Sequence, residues 1–243
     1  MTPRRQNVRV LERIGLGSPI QKWAAAAGAV LVVLVLIGVV RSNSAGSRHP
    51  ALSATSRDTL ALLASLPSKG RAPKTGYARD QFGQAWTDDV SVPDGHNGCD
   101  TRDDVLRRDL VSVTFRRGSD CVIASGILHD VYTGRTIDFV RGRTTSEAVQ
   151  IDHIVALSDA WQTGAQQLSR LQRTDLANDP LNLQAVDGPT NQAKGDSDAA
   201  SWLPPDHAYR CTYVTRQVEV KAKYHLWVTP AERDAIARVL ADC

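Results

Sequence analysis

Hydrophobic and polar positions divide the chain into stretches that predict different elements. Trp23 to Val40 is an uncharged apolar run, long enough as a helix to cross the hydrocarbon core of a bilayer. Arg41 to Ser56 is Ser-rich, holds a Gly and a Pro and has no apolar period, so it reads as a flexible tether. Arg57 to Leu66 places Leu60, Leu63 and Ala64 at three-and-four spacing behind a Ser56 cap, which predicts a short helix ended by Pro67. From there to Gly98 the chain is polar, with Tyr77, Phe82 and Trp86 scattered through it, and neither period is present. That stretch is expected to be irregular.

The signals sharpen from Cys99 onward. Asp100-Thr101 can cap a helix carrying Asp103 and Asp104 in its first turn and Leu106 and Leu110 on one face. Val111 to Phe115, Cys121 to Ser125 and Thr136 to Val140 read as short strands separated by turns. Val149 to Val155 is the expected central strand, and Ser158 to Arg173 an expected single helix with Trp161, Ala165 and Leu168 near one stripe. Leu181 to Val186 predicts a further strand, Asp187-Gly188-Pro189 a tight turn, and Thr190 the cap of a helix starting at Asn191. A helix pair ends the chain, from about Thr212 to His225 and from the Thr229-Pro230-Ala231-Glu232 capping box onward.

Charge and cysteine usage add a compartment to this outline. Arg4, Arg5, Arg9, Arg13 and Lys22 precede the apolar run, an excess of positive charge that keeps the first segment inside and sends the rest outward. The expected organisation is a basic cytoplasmic N-terminus (1–22), a transmembrane signal anchor (23–40), a linker (41–56) and one extracytoplasmic domain (57–243). Secretion after cleavage is the alternative, with Ser44-Ala45 as the only processing site in view. All four cysteines follow the run, and none forms a C-x-x-C pair. Two disulfides in an oxidising compartment therefore fit better than a zinc site, and sequence order favours Cys99 with Cys121 and Cys211 with Cys243, one of three connectivities. The formal net charge of +3 permits an anionic partner without identifying one.

The chemistry-bearing residues are concentrated in three short stretches: Asp152-His153-Ile154-Val155-Ala156-Leu157, Asn178-Asp179-Pro180-Leu181-Asn182-Leu183-Gln184-Ala185-Val186 and Asn191-Gln192-Ala193-Lys194-Gly195-Asp196. A phosphodiester site needs a base for water, a cation for developing charge and groups that hold both in line. Together these stretches resemble the HNH, or His-Me finger, endonucleases, in the exported branch akin to the C-terminal nuclease domain of GmrSD-type restriction enzymes. The likeness covers Asn97 to Cys243, with its core at about 149–205.

The resemblance implies an α+β fold with a ββα-metal core, an inserted helix, an N-terminal helix and short-strand subregion and a C-terminal helical hairpin. It implies Asp152 and Asn191 as metal ligands, His153 as the general base and Asn182 as the residue that holds the hairpin loop and orients the imidazole. Oxygen ligands of this kind suit Mg²⁺ or Mn²⁺. The zinc-binding cysteine pairs of many such proteins are missing, so no structural zinc is expected. Lys194, Arg141 and Arg143 are candidate substrate contacts, each weighed against an ordinary solvated or turn role. The expected partner is nucleic acid, DNA before RNA, with membrane attachment through the N-terminal helix and no obligate protein partner. The reading of a different class is a non-catalytic cell-surface nucleic-acid-binding protein on the same scaffold; a zinc hydrolase of another substrate is the third.

Overall fold

The structure is a computed structural model and describes residues 56–243. The basic N-terminus, the apolar run at 23–40 and all of the linker but Ser56 lie outside the described residues. Among those that are described, no helix is long and apolar enough to cross a membrane.

The described chain is α+β, as expected. Helix α1 (Ser56–Ser65) is followed by a strap running to Asp100 whose regular content is chiefly one short 3-10 turn, Arg79–Phe82. Helix α2 (Thr101–Asp109) starts where Asp100 accepts a 2.8 Å bond from Asp103 N, so a capping carboxylate fixes its first turn. Strands β1 (Leu110–Phe115), β2 (Ile123–His129) and β3 (Thr136–Val140) form an antiparallel meander. Strands β4 (Val149–His153) and β5 (Leu183–Asp187) make a separate antiparallel pair, with Asp152 opposite Gln184 and His153 opposite Leu183. Both strands of this pair are almost wholly buried. Val149, Ile151, Leu183 and Ala185 of the pair join Val105, Leu106, Leu110, Ile123 and Phe139 in one core cluster between the two sheets and α2.

Between β4 and β5 the expected single helix is broken into α3 (Leu157–Gln162), a 3-10 turn (Ala165–Gln167) and α4 (Arg170–Asn178). Gly164 is the cause. It adopts φ 132°, which disfavours any side chain, and a Cβ there would lie 3.3 Å from Leu226 and Trp227. The chain restarts helically at a capping box between Ser169 and Gln172. A second correction concerns helix α5 (Gly188–Lys194), which begins at Gly188 rather than Asn191. Its cap is Asp187, whose carboxylate accepts from both the amide and the hydroxyl of Thr190. Gly188 is required there, because a Cβ would sit 2.0 Å from the Glu147 carbonyl oxygen.

Helices α6 (Arg210–Lys223) and α7 (Pro230–Ala241) form the C-terminal pair, and α1 packs against both. Thr229 and Glu232 make the reciprocal capping box that opens α7. Disulfides join Cys99 to Cys121 and Cys211 to Cys243. The first ties the start of α2 to β2; the second closes the open end of the helix pair. Beneath the pair lies a buried charge cluster in which Lys221 meets Glu232 at 2.7 Å and Asp159 of α3 at 3.1 Å. Arg71 of the strap joins it through Asp159 and Asp198. Burial works against the Lys221 charge, but Asp159 and Glu232 outweigh it and raise its pKa.

Candidate active site

Strand β4 delivers Asp152 and His153 at its last two positions, and α5 delivers Asn191 one turn after its start. All three line a cavity of about 340 Å³. The opposite wall comes from the strap, through Lys74, Tyr77 and Arg79. A second cavity of about 270 Å³ shares Arg79, His153 and Leu157 with the first. It lies under strap residues Phe82, Ala85 and Trp86. His153 therefore stands between a polar and a largely apolar recess.

The imidazole is positioned by two neighbours. Its Nε2 lies 2.9 Å from the Ala177 carbonyl oxygen. A carbonyl can only accept, so Nε2 carries the proton and Nδ1 the lone pair. Trp86 stacks on the ring with planes 12° apart and centroids at 5.9 Å, and holds a positive φ of 59° to do so. Burial depresses the imidazole pKa from 6.5 to about 3, opposed by the bond to Ala177 and reinforced by the positive charges of Arg79 and Lys194. His153 is accordingly neutral at physiological pH, with a free basic nitrogen.

Asn182 holds this arrangement from behind. It is fully buried, accepts from Val155 N at 2.8 Å, and donates to Leu176 O at 3.2 Å. It thus fixes the exit of β4 against the end of α4. Its contact with the imidazole is indirect, because Ala177, next to Leu176, supplies the orienting carbonyl in place of the expected Asn182 amide. Two arginines brace the same loop: buried Arg216 donates to the carbonyls of Leu181 and Leu183, and half-buried Arg108 to those of Pro180 and Leu183.

Asp152 is the most heavily engaged residue of the site. Lys194 Nζ, wholly buried, lies 2.9 and 2.8 Å from its two oxygens and 2.6 Å from His153 O. Tyr132, from the loop between β2 and β3, donates its hydroxyl to Oδ2 at 2.5 Å. Burial together with the Asp152 charge pushes the phenol pKa well up, so it remains a donor. A carboxylate offers about four acceptor positions. Three are used here, which leaves one on Oδ1. Asn191 donates its Nδ2 to Gln150 Oε1 at 3.0 Å, which leaves its own carbonyl oxygen available. One carboxylate oxygen and one amide oxygen on the wall of an open cavity fit a hard divalent cation that keeps waters and takes substrate oxygens. Among the described residues there is no cluster of three or more His, Cys, Asp or Glu side chains that could hold a metal by itself.

The remaining expected contacts fall elsewhere. Lys194 was expected to meet substrate and is instead committed to Asp152. Arg141 is ion-paired with Asp103 and donates from Nε to Ile123 O at 2.6 Å, so the buried carboxylate draws it into the meander. Arg143 is exposed, and neither arginine lines the two recesses beside His153. Asp196 pairs with Lys74 and accepts from Ser158, while Asp198 accepts from Ala200 N and Ser201 Oγ, the turn-capping role. Residues that the pattern did not single out are Tyr132, Lys74, Arg79, Trp86 and Ala177. The aromatic and basic content of the strap was visible; its destination was not.

Fold and site together define an α+β domain in which a two-stranded hairpin and the helix after it gather a carboxylate, a neutral imidazole and a carboxamide around one cavity. Residues 100–239 match the family described as GmrSD restriction endonucleases, C-terminal domain, and the chain belongs to that family. It is also 39% identical over 184 residues to an uncharacterized secreted protein of Arthroderma benhamiae, covering 75% of this chain and 83% of the relative. No solved structure matches the chain.

Proposed function

We propose that the chain is a metal-dependent endonuclease of the HNH type that hydrolyses phosphodiester bonds in nucleic acid outside the cytoplasm. The observation that carries this reading is His153: a buried, neutral imidazole whose Nε2 proton is tied to Ala177 O, beside a cavity that also holds Asp152 and Asn191. Family membership supports the nuclease class, and the two disulfides and the secreted relative support an exported domain.

In this reading His153 Nδ1 accepts the proton of the attacking water while Ala177 keeps the ring in the competent tautomer. Asp152 and Asn191 hold Mg²⁺ or Mn²⁺, which would supply Lewis-acid stabilisation of charge on the phosphate and the leaving oxygen. Lys194 and Tyr132 grip the Asp152 carboxylate and aim it into the cavity. Arg79 faces the phosphate from the strap and neutralises its charge. Asn182 acts on the loop that carries Ala177.

The test is cleavage of supercoiled plasmid and of single-stranded DNA by the full chain with Mg²⁺ or Mn²⁺, beside His153→Ala. The variant should lose about 10²- to 10⁴-fold in rate. Equal cleavage by both proteins removes His153 from the role of base. Metal-dependent binding with no nicking by the wild type would favour the non-catalytic nucleic-acid-binding reading.

A further inference from the structure

The apolar recess on the far side of His153 is not needed for water activation or phosphate binding. We propose that it receives an unstacked nucleobase next to the scissile phosphate, so that single-stranded nucleic acid is the preferred substrate. This rests on the nuclease reading above and names the substrate class for that site.

Three observations converge. The recess is walled by Phe82, Ala85, Trp86, Leu157 and Ala177, an aromatic and aliphatic lining of the kind on which bases stack without regard to sequence. It adjoins the polar cavity through His153 and Arg79, and Arg79 makes no ion pair among the described residues although its charge is felt at the imidazole. A phosphate neutralised by this guanidinium would sit at the junction, with its own base directed to the apolar side. Asn178 also lines the recess; it is 2% exposed, its Nδ2 donates to Thr174 O at 2.9 Å, and its Oδ1 has no protein partner. An acceptor of that kind suits the ring or exocyclic N–H of a base. Asp80, on the rim, adds a second acceptor and disfavours a phosphate inside the recess itself. A paired base cannot enter without leaving its stack, a cost that a single strand does not bear.

The experiment uses the full chain and a fluorescent single-stranded DNA, the same strand with abasic sites and the corresponding duplex. Binding is read in chelator, and cleavage with Mg²⁺ or Mn²⁺. The base-bearing strand should bind about 5- to 150-fold more tightly than the abasic strand, the range for one base stacked on aromatic side chains. The duplex should bind less tightly than the single strand. Ala85→Trp, a change at an exposed rim position, fills the recess and should collapse this preference toward unity, as should Asn178→Leu to a smaller extent. Equal affinity for base-bearing and abasic strands, with cleavage intact, overturns the base recess and leaves the nuclease reading standing. Base-dependent binding with no cleavage under any divalent cation does the reverse. Absence of both overturns both.

Discussion

Replacing Lys194 by Met isolates what its ammonium does. The side chain is fully buried and makes three polar contacts, two to Asp152 and one to the His153 carbonyl. Methionine keeps most of the stem and removes charge and donors, so Asp152, 4% exposed, retains the Tyr132 hydroxyl alone. Breaking one side of a buried ion pair costs about 3–5 kcal/mol, which for a domain of this size lowers Tm by about 6–20 °C. A cation held by Asp152 and Asn191 would compensate, since a ligand at 100 times its Kd adds about 2.7 kcal/mol to the folded state. Calorimetry of the full chain, in chelator and then with Mg²⁺ or Mn²⁺, reads both effects. Lys194→Met should melt lower in chelator and gain more from the metal than the wild type does. A drop of less than about 2 °C, or an equal metal shift in both proteins, would refute the coupling between Lys194, Asp152 and the cation.

Three further outcomes follow from named contacts. Glu232 is fully buried, and burial, offset in part by Lys221, raises its pKa from 4.5 to about 6. The folded state therefore binds more protons than the unfolded state between those values, and this group's contribution to stability falls as pH rises through them, by about 2 kcal/mol. Glu232→Gln should flatten the stability difference from wild type above about pH 6 relative to below 4.5; a difference that does not vary with pH rejects the shift. His153 acts in the opposite sense, because its folded pKa of about 3 lies below 6.5. Its neutral-state stability is lost as pH falls through that window, and His153→Ala should remove that acid-side slope in urea titrations. Cys243→Ser should cost about 4 kcal/mol from loop-closure entropy over a separation of 32 residues, seen as a lower Tm with Cys99–Cys121 left intact; an unchanged Tm would show that the packing of α1 on α6 and α7 holds the hairpin without it.

Much of the scaffold could be read from local rules, and the exceptions share a cause. Asp100, Thr229 and Glu232 cap their helices as their residue types require, and the outer two meander strands fall within a residue of their expected bounds, whereas the middle one runs from Ile123 to His129 rather than from Cys121 to Ser125. The broken helix between β4 and β5 was illegible because what breaks it is remote: Gly164 is demanded by Leu226 and Trp227, some sixty positions later. Gly188 is likewise fixed by the backbone of Glu147. Local propensity carries no information about a surface the chain has yet to meet.

The site divides along the same line. Asp152, His153, Asn182 and Asn191 are named by the family resemblance of the stretches that hold them, and the structure brings Asp152, His153 and Asn191 to one cavity. Lys194 was visible as a residue but not as a role, since a lysine late in a short helix looks solvated until Asp152 is placed beneath it. Arg79 and Trp86 lie in a strap with no period at all, and only the stacking of Trp86 on His153 and the charge of Arg79 felt there give them meaning. The strap is held in place from outside itself, by Arg71 on Asp159 and Asp198, by Lys74 on Asp196, and by Arg173 of α4 donating to Gln81 O. Those anchors start from the elements that build the hairpin site, α3, α4 and the turn after α5. The hairpin unit that carries Asp152 and His153 therefore also dictates where the strap lies, and substitutions at Asp159 or Asp198 should alter strand affinity in the chelator binding assay without touching His153.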